Sequence, residues 1–315
     1  MLEYFPYSNF SRKIAVSLDL WKSEQSHYEQ LTAVKKRNFR LVWAFAVFSL
    51  LSLSILAILA RPTWVFLIVI VAVILSILFF SGIRIWQQQN LNQWRERNNR
   101  LFAQPLKEAI FKAFFDELQP NKNIKTTHQV IHKSLLYPAA TTLQSIDFQY
   151  EGFFNNEPLL IYFGAYGQSL SKHNTAFFNL SKKVKNNIQH FLCLKNQNLE
   201  KNTDAEPQHF GYFSEMEAQF NFYSNQRGAL AAFIEQNEQI LQRINNLQLS
   251  YLLVSVLGDK INCSFDIKLF TFWQEIEISK PITNEDLQRY YNDMSKLVNL
   301  VSLAQNLQIP ALENE

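Results

Sequence analysis

The stretch LSILAILARPTWVFLIVI, residues 53–70, sets one Arg-Pro pair in an otherwise unbroken apolar run. Leu41 to Ala60 carries no charge, and Thr63 to Ile83 is a second uncharged segment. At 1.5 Å per residue, twenty helical residues cover about 30 Å, the thickness of a bilayer's hydrocarbon core. One helix across both segments would be about twice that length. Pro62 also disfavours helical geometry at Arg61 and has no N–H to offer an upstream carbonyl. The expectation is a two-helix transmembrane hairpin over 41–83, spans 41–60 and 63–83, with Arg61-Pro62-Thr63 as its turn.

The flanks predict orientation. Lys35, Lys36, Arg37 and Arg40 precede the first span, and Arg84, Arg95, Arg97 and Arg100 follow the second, against one Arg in the turn. By the positive-inside rule both termini are expected in the cytoplasm. Trp43 and Trp86 then lie at the inner interface and Trp64 at the outer. About forty mostly polar residues before the first span argue against a cleaved signal peptide.

The net charge of +3 over 315 residues, with no long Lys/Arg block outside these flanks, excludes a nucleic-acid-binding signature. The two cysteines, Cys193 and Cys263, form no disulfide framework and lack metal-ligand spacing, which fits a reducing compartment.

Residues 1–40 read as an N-terminal helical segment, with a polar helix from Leu18 to Arg40. Trp86, Leu91, Trp94 and Leu101 recur at near-helical spacing through 84–104, a helical extension or stalk, with Asn98 in a seam position. An α+β domain with antiparallel hairpins is expected over 105–315. Pro105 suits a first helical turn, followed by the apolar face Leu106, Ile110, Phe111, Phe114, Phe115 and Leu118. Thr127 to Leu136 reads as helix. LQSIDFQYEGFFNNEPLLIYFGAY reads as paired strands turning at Asn155-Asn156. Phe177, Leu180, Val184, Ile188 and Phe191, at 3-4-4-3 spacing, predict an amphipathic helix over 177–191, its stripe packed on a domain sheet or, as the alternative, lying at the membrane with Lys182, Lys183 and Lys185 on anionic headgroups. Residues near 195–209 read as a mobile loop. YFSEMEAQFNFYS reads as a strand pair or one long strand, and GALAAFIEQNEQILQRINNL as a helix. YLLVSVLGDKINCSFDIKLF reads as a hairpin turning at Gly258-Asp259, FWQEIEI as a further strand, and PITNEDL as the start of a closing helix capped by Thr283 or Asn284.

Reaction chemistry is not legible. HQVIH puts His128 and His132 on one helical face, but Gln129 stands where a zinc protease motif needs a general-base Glu. GAYGQSLSK offers Gly164, Gly167 and Lys172 without the Gly-Lys-Ser/Thr ending that cradles phosphates. Ser169 lacks the second Gly of a nucleophile elbow. His190 and Cys193 lie at i, i+3, a spacing at which a helix would let them touch, but Cys193 between Leu192 and Leu194 reads as a packed core thiol. Asp116-Glu117, Asp204/Glu206 and Glu285-Asp286 read as a solvated helix end, a loop and a helix-start dipole partner. No catalytic, cofactor-binding or metal residue is assigned, and no cofactor is expected.

Three segments carry a resemblance: LLYPAATTLQSIDFQYEGFF, FNFYSNQRGALAAFIEQNEQILQRINNL, and LGDKINCSF through ITNEDLQRYYNDMSKLVNLVSLAQNL. With the apolar hairpin, their order resembles a bacterial family of two-span inner-membrane proteins designated a domain of unknown function. Members are often encoded beside LemA-type membrane proteins. The resemblance implies a multi-pass protein of the bacterial inner membrane and a partner, another membrane protein of LemA type or a second copy, rather than catalysis. The expected function is a non-enzymatic, membrane-anchored scaffold or accessory interaction module facing the cytoplasm. The alternatives are an enzyme acting on a lipid or membrane-proximal substrate, or a homo-oligomeric pore subunit.

Overall fold

The computed structural model describes residues 5–59, 63–121, 124–137, 142–167, 173–182, 188–195, 197, 208–209, 216 and 219–310. Two compact units make up the chain. One comprises Met1–Ser11, Ile110–Trp273 and Asn284–Glu315, and the other Arg12–Ala109 and Gln274–Thr283. Helices and an antiparallel sheet together make the protein α+β.

The helical unit rests on two long helices, α1 (Tyr7–Leu59) and α2 (Thr63–Asn98). The expected polar helix over 18–40 is thus the middle of α1. The expected turn at 61–63 falls mainly outside the described residues, and α2 begins at its last member, Thr63. After α2 the chain continues through a π-helical turn, Asn99–Ala103, into α3 (Gln104–Lys112). Pro105 supplies the reason. Lacking an N–H, it cannot close the usual bond to the carbonyl of Leu101, and the preceding turn is wider. The Gln104 N–H bonds instead to the Asn99 carbonyl, five residues back. The side chain of Asn99 accepts from the Ile278 N–H at 2.8 Å, fastening residues 274–283 to this turn.

The other unit is built on an all-antiparallel sheet. Its described strands are β1 (Gln119–Pro120), β2 (Thr142–Phe154), β3 (Glu157–Gly167), β4 (His173–Ser181), β5 (Gln189–Leu194), β6 (Gln208–His209), β7 (Phe220–Ser224), β8 (Leu252–Leu257) and β9 (Lys260–Phe265). They lie in the order β1-β2-β3-β4-β9-β8-β5-β7-β6. Two hairpins follow from their turn residues. Asn155 and Asn156 have φ 48° and 66°, the left-handed pair that a two-residue turn between twisted strands requires, and Gly258 sits at φ 60° between β8 and β9.

Helices cover both faces of the sheet. One face carries α4 (Ile124–Lys133), whose Ile131 packs with Leu136, Tyr162, Phe177, Phe191, Cys193 and Leu253. The opposite face carries α5 (Arg227–Asn245), a 3-10 turn (Ile267–Phe270), α6 (Thr271–Glu275) and α7 (Asn284–Asn306). There Phe163 meets Phe270, Phe148 meets Trp273 edge-on at 4.5 Å, and Phe111 meets Phe148 and Tyr150.

Three expectations are corrected. Phe177 and Leu180 lie on β4 and Phe191 on β5, with Ile188 just before β5 and 183–187 outside the described residues, so 177–191 is not one helix. A strand covered on both faces loses the apolar-polar alternation, and Ala176 to Leu180 are all buried, so a helical period could be read into it. Of the basic face expected there, Lys182 follows β4, and Lys183 and Lys185 lie outside the described residues. FWQEIEI is not a strand: Thr271–Glu275 is helical, although Ile276 and Ile278 beyond it are buried. In YFSEMEAQFNFYS only Phe220–Ser224 is a described strand, with Met216 in a short turn. The loop expected near 195–209 lies mostly outside the described residues.

Candidate apolar belt and its charged collar

From Leu41 on α1 to Trp86 on α2, large apolar side chains stand uncovered around both helices. Phe48 is 70% exposed, Ile58 81%, Leu78 63% and Phe79 65%. Apolar surface of this kind suits a core or a bilayer, and the described side chains named here have little protein over them. Among the described residues, one helical stretch, Ile70–Lys112, is long and apolar enough to cross a membrane. The most apolar window in it has mean hydropathy 1.9 and none of it is buried. Three hydroxyls along the belt are satisfied locally. Ser52 and Ser54 donate to the Phe48 and Leu50 carbonyls at 2.9 and 2.8 Å, and Ser76 to Ala72 at 2.7 Å. Each thus spends its O–H inside its own helix.

Charge is distributed one way along this region. Between Glu29 and Glu96 the chain has no acidic residue, but it has Lys35, Lys36, Arg37, Arg40, Arg61, Arg84 and Arg95. Lys36, Arg37, Arg40 and Arg84 are exposed. No described carboxylate pairs with Lys35, Lys36, Arg37, Arg40 or Arg84.

The two helices are tied at two levels. Three residues separate Leu59 from Thr63, which limits their Cα atoms to about 15 Å apart. Tyr28 stacks on Trp94 at 5.4 Å with an interplanar angle of 22°, and His27 lies 6.3 Å from the same ring. Tyr28 is 31 residues before Leu59, and Trp94 is 31 residues after Thr63. Equal arms make α1 and α2 antiparallel and in step. Arg84, 21 residues beyond Thr63, therefore stands level with residue 38, inside the Lys35–Arg40 cluster. The cations form a collar at one end of the belt.

The residues weighed for chemistry do not converge. His128 and His132 keep their helical spacing on α4, rings 6.3 Å apart, with His132 exposed. No group of three or more potential metal ligands occurs among the described residues. Gly164 and Gly167 lie within β3, not in a phosphate loop, while Ser169 and Lys172 fall outside the described residues. His190 and Cys193 cannot touch as helical neighbours. On strand β5 they point to opposite faces, the imidazole stacked at 4.8 Å on Phe233 of α5 and the thiol in the α4 core. Burial lowers the His190 pKa to about 4 and raises that of Cys193 to about 12; Cys263 is also pushed up by burial. Neither thiol is poised to ionise. Asp116 and Glu117 are exposed after α3, Glu285 and Asp286 open α7 with Arg289 at 3.0 Å from Asp286, and Asp204 and Glu206 lie outside the described residues.

A buried polar row escaped the sequence reading. Asn179 donates to Asn262 at 2.6 Å, Asn262 to Ser255 at 3.1 Å, and Ser255 to the Ser134 carbonyl at 2.7 Å; Tyr137 donates to Ser264 at 2.7 Å. Its signal was the alternation of Asn262 and Ser264 along one face of β9. These neutral amides and hydroxyls have one another as partners, and they fasten the end of α4 to β4, β8 and β9.

No family model matches the chain, and no curated protein matches it. Among solved structures, the crystal structure of the mycobacterial trehalose monomycolate transport factor A, TtfA, is similar over 54% of this chain and 76% of that one. At 9% identity and a TM-score of 0.30 the similarity carries no argument about function.

Proposed function

We propose that this protein is a non-enzymatic scaffold or accessory module held in a bacterial inner membrane by a two-helix hairpin, its α+β unit in the cytoplasm. The observation that carries the reading is the uncovered apolar surface of α1 and α2, closed at one end by cations and empty of acidic residues. Exposed side chains such as Phe48 and Ile58 are costly in water and favourable in hydrocarbon. Spans 41–60 and 63–83 place the collar at the cytoplasmic interface. The partner is a second membrane protein, of the LemA type by the resemblance, or another copy of the chain.

A reporter active only outside the cytoplasm tests the topology. Fused after Glu315 it should stay silent, and inserted between Ala60 and Pro62 it should be active. Activity at the C-terminal fusion overturns the orientation, and silence at both positions overturns the crossing. Purification of the full chain in gentle detergent with measurement of particle mass tests the accessory role. A stoichiometric second membrane protein or a defined homo-oligomer is expected, and a lone monomer would set it aside.

A further inference from the structure

A shallow groove of about 370 Å³ runs along α1, lined by Trp43, Ala44, Val47, Phe48 and Leu51. Its lining is apolar, and it begins one turn beyond Arg40. At about 100° per residue, Lys36, Arg37, Arg40 and the five groove residues fall within one arc of about 140°. Tyr28, which marks the side of α1 turned to α2, lies outside that arc. One helix face thus presents three exposed cations that no described carboxylate neutralises, followed along the axis by an apolar furrow under an indole ring.

We propose that this face of α1 is a binding site for an anionic phospholipid, Lys36, Arg37 and Arg40 holding the phosphate-bearing headgroup and the Trp43–Leu51 groove taking an acyl chain. The order of the parts matches the occupant: charge at the interface, apolar length toward the bilayer centre, and Trp43 at the boundary where amphipathic rings sit. A soluble phosphate would satisfy the cations but leave the groove empty, and a zwitterionic lipid would fill the groove but bring its own positive charge against the collar. The proposal rests on the bilayer reading above and goes beyond it by naming the lipid class.

The full chain, reconstituted into nanodiscs of equimolar phosphatidylcholine and phosphatidylglycerol, is extracted in mild detergent and its retained lipids are counted by native mass spectrometry. Phosphatidylglycerol should be enriched over phosphatidylcholine by on the order of a hundredfold, the factor that three cations near the surface give together. Added salt should reduce the enrichment. The triple variant Lys36→Gln/Arg37→Gln/Arg40→Gln should bring the ratio close to one. Ala44→Trp, which fills the groove and leaves the charges, should also lower it, and Lys36→Arg should preserve it. Equal retention of the two lipids by the wild type, or enrichment that survives either the triple variant or Ala44→Trp, overturns the site. Entry into discs of pure phosphatidylcholine is scored separately: a protein that enters without lipid preference refutes this site alone, and one that enters no disc refutes the bilayer reading too.

Discussion

At the scale of single residues the sheet unit has two positions with sharp consequences. Gly152 on β2 lies so close to the next segment that an added Cβ would sit 2.4 Å from the Glu117 carbonyl oxygen and 3.1 Å from Leu118. Both are backbone-anchored, so the strand itself must move. Gly152→Ala should destabilise the protein by about 1–3 kcal/mol, read as a lowered midpoint in thermal melts of the detergent-solubilised chain. His190 is buried and neutral, its Nδ1 3.2 Å from the Ser224 hydroxyl and its Nε2 without a described partner. Burial lowers its pKa from 6.5 to about 4, so the unfolded chain binds the proton first as pH falls. Its contribution is complete above pH 6.5 and is lost progressively down to pH 4, a change of about 3 kcal/mol. His190→Gln should flatten that part of the stability profile between pH 6.5 and 4; a profile identical to wild type would show that another group is responsible.

Elements show where sequence reasoning works and where it fails. Helices that lie on a sheet keep one wet side, and the periodicity of α4, α5 and α7 was therefore legible. Turns that need a left-handed backbone advertise themselves through Asn155-Asn156 and Gly258-Asp259. β4 and β5 were misread because neither has a wet side, which removes the alternation that distinguishes strand from helix. The polar row was missed because Asn179, Ser255 and Asn262 meet only through strand pairing, which single-strand periodicity does not encode. The apolar belt was legible for the opposite reason: its charge-free runs, 41–60 and 63–83, are long enough to be read without any periodicity. Its surroundings can be read from one substitution. Leu75 on α2 is 60% exposed, so Leu75→Arg in water would change stability by no more than about 0.5 kcal/mol. In a bilayer centre it should cost about 3 kcal/mol, seen as a fall in the carbonate-resistant fraction of the protein. An unchanged fraction would argue that α2 does not lie in hydrocarbon.

The whole molecule has a sheet whose spatial order differs from its order in the chain. β4 and β5 follow one another in sequence, but β9 and β8 stand between them. Asn179 and Phe178 pair with Asn262 and Cys263, and Phe191 and Leu192 pair with Ser255 and Val254. As the protein emerges from a ribosome, β2, β3 and β4 can zip together early, and β5 can meet β7 soon after. Each half then waits with a bare edge until Leu252–Phe265 is made, and bare edges recruit other strands. The 8–9 hairpin is the keystone, delivered late to a gap already flanked on both sides. Translation that stalls before residue 252 leaves two half-sheets and no closed unit, so the window of greatest risk of misassembly lies between synthesis of β5 and synthesis of β9.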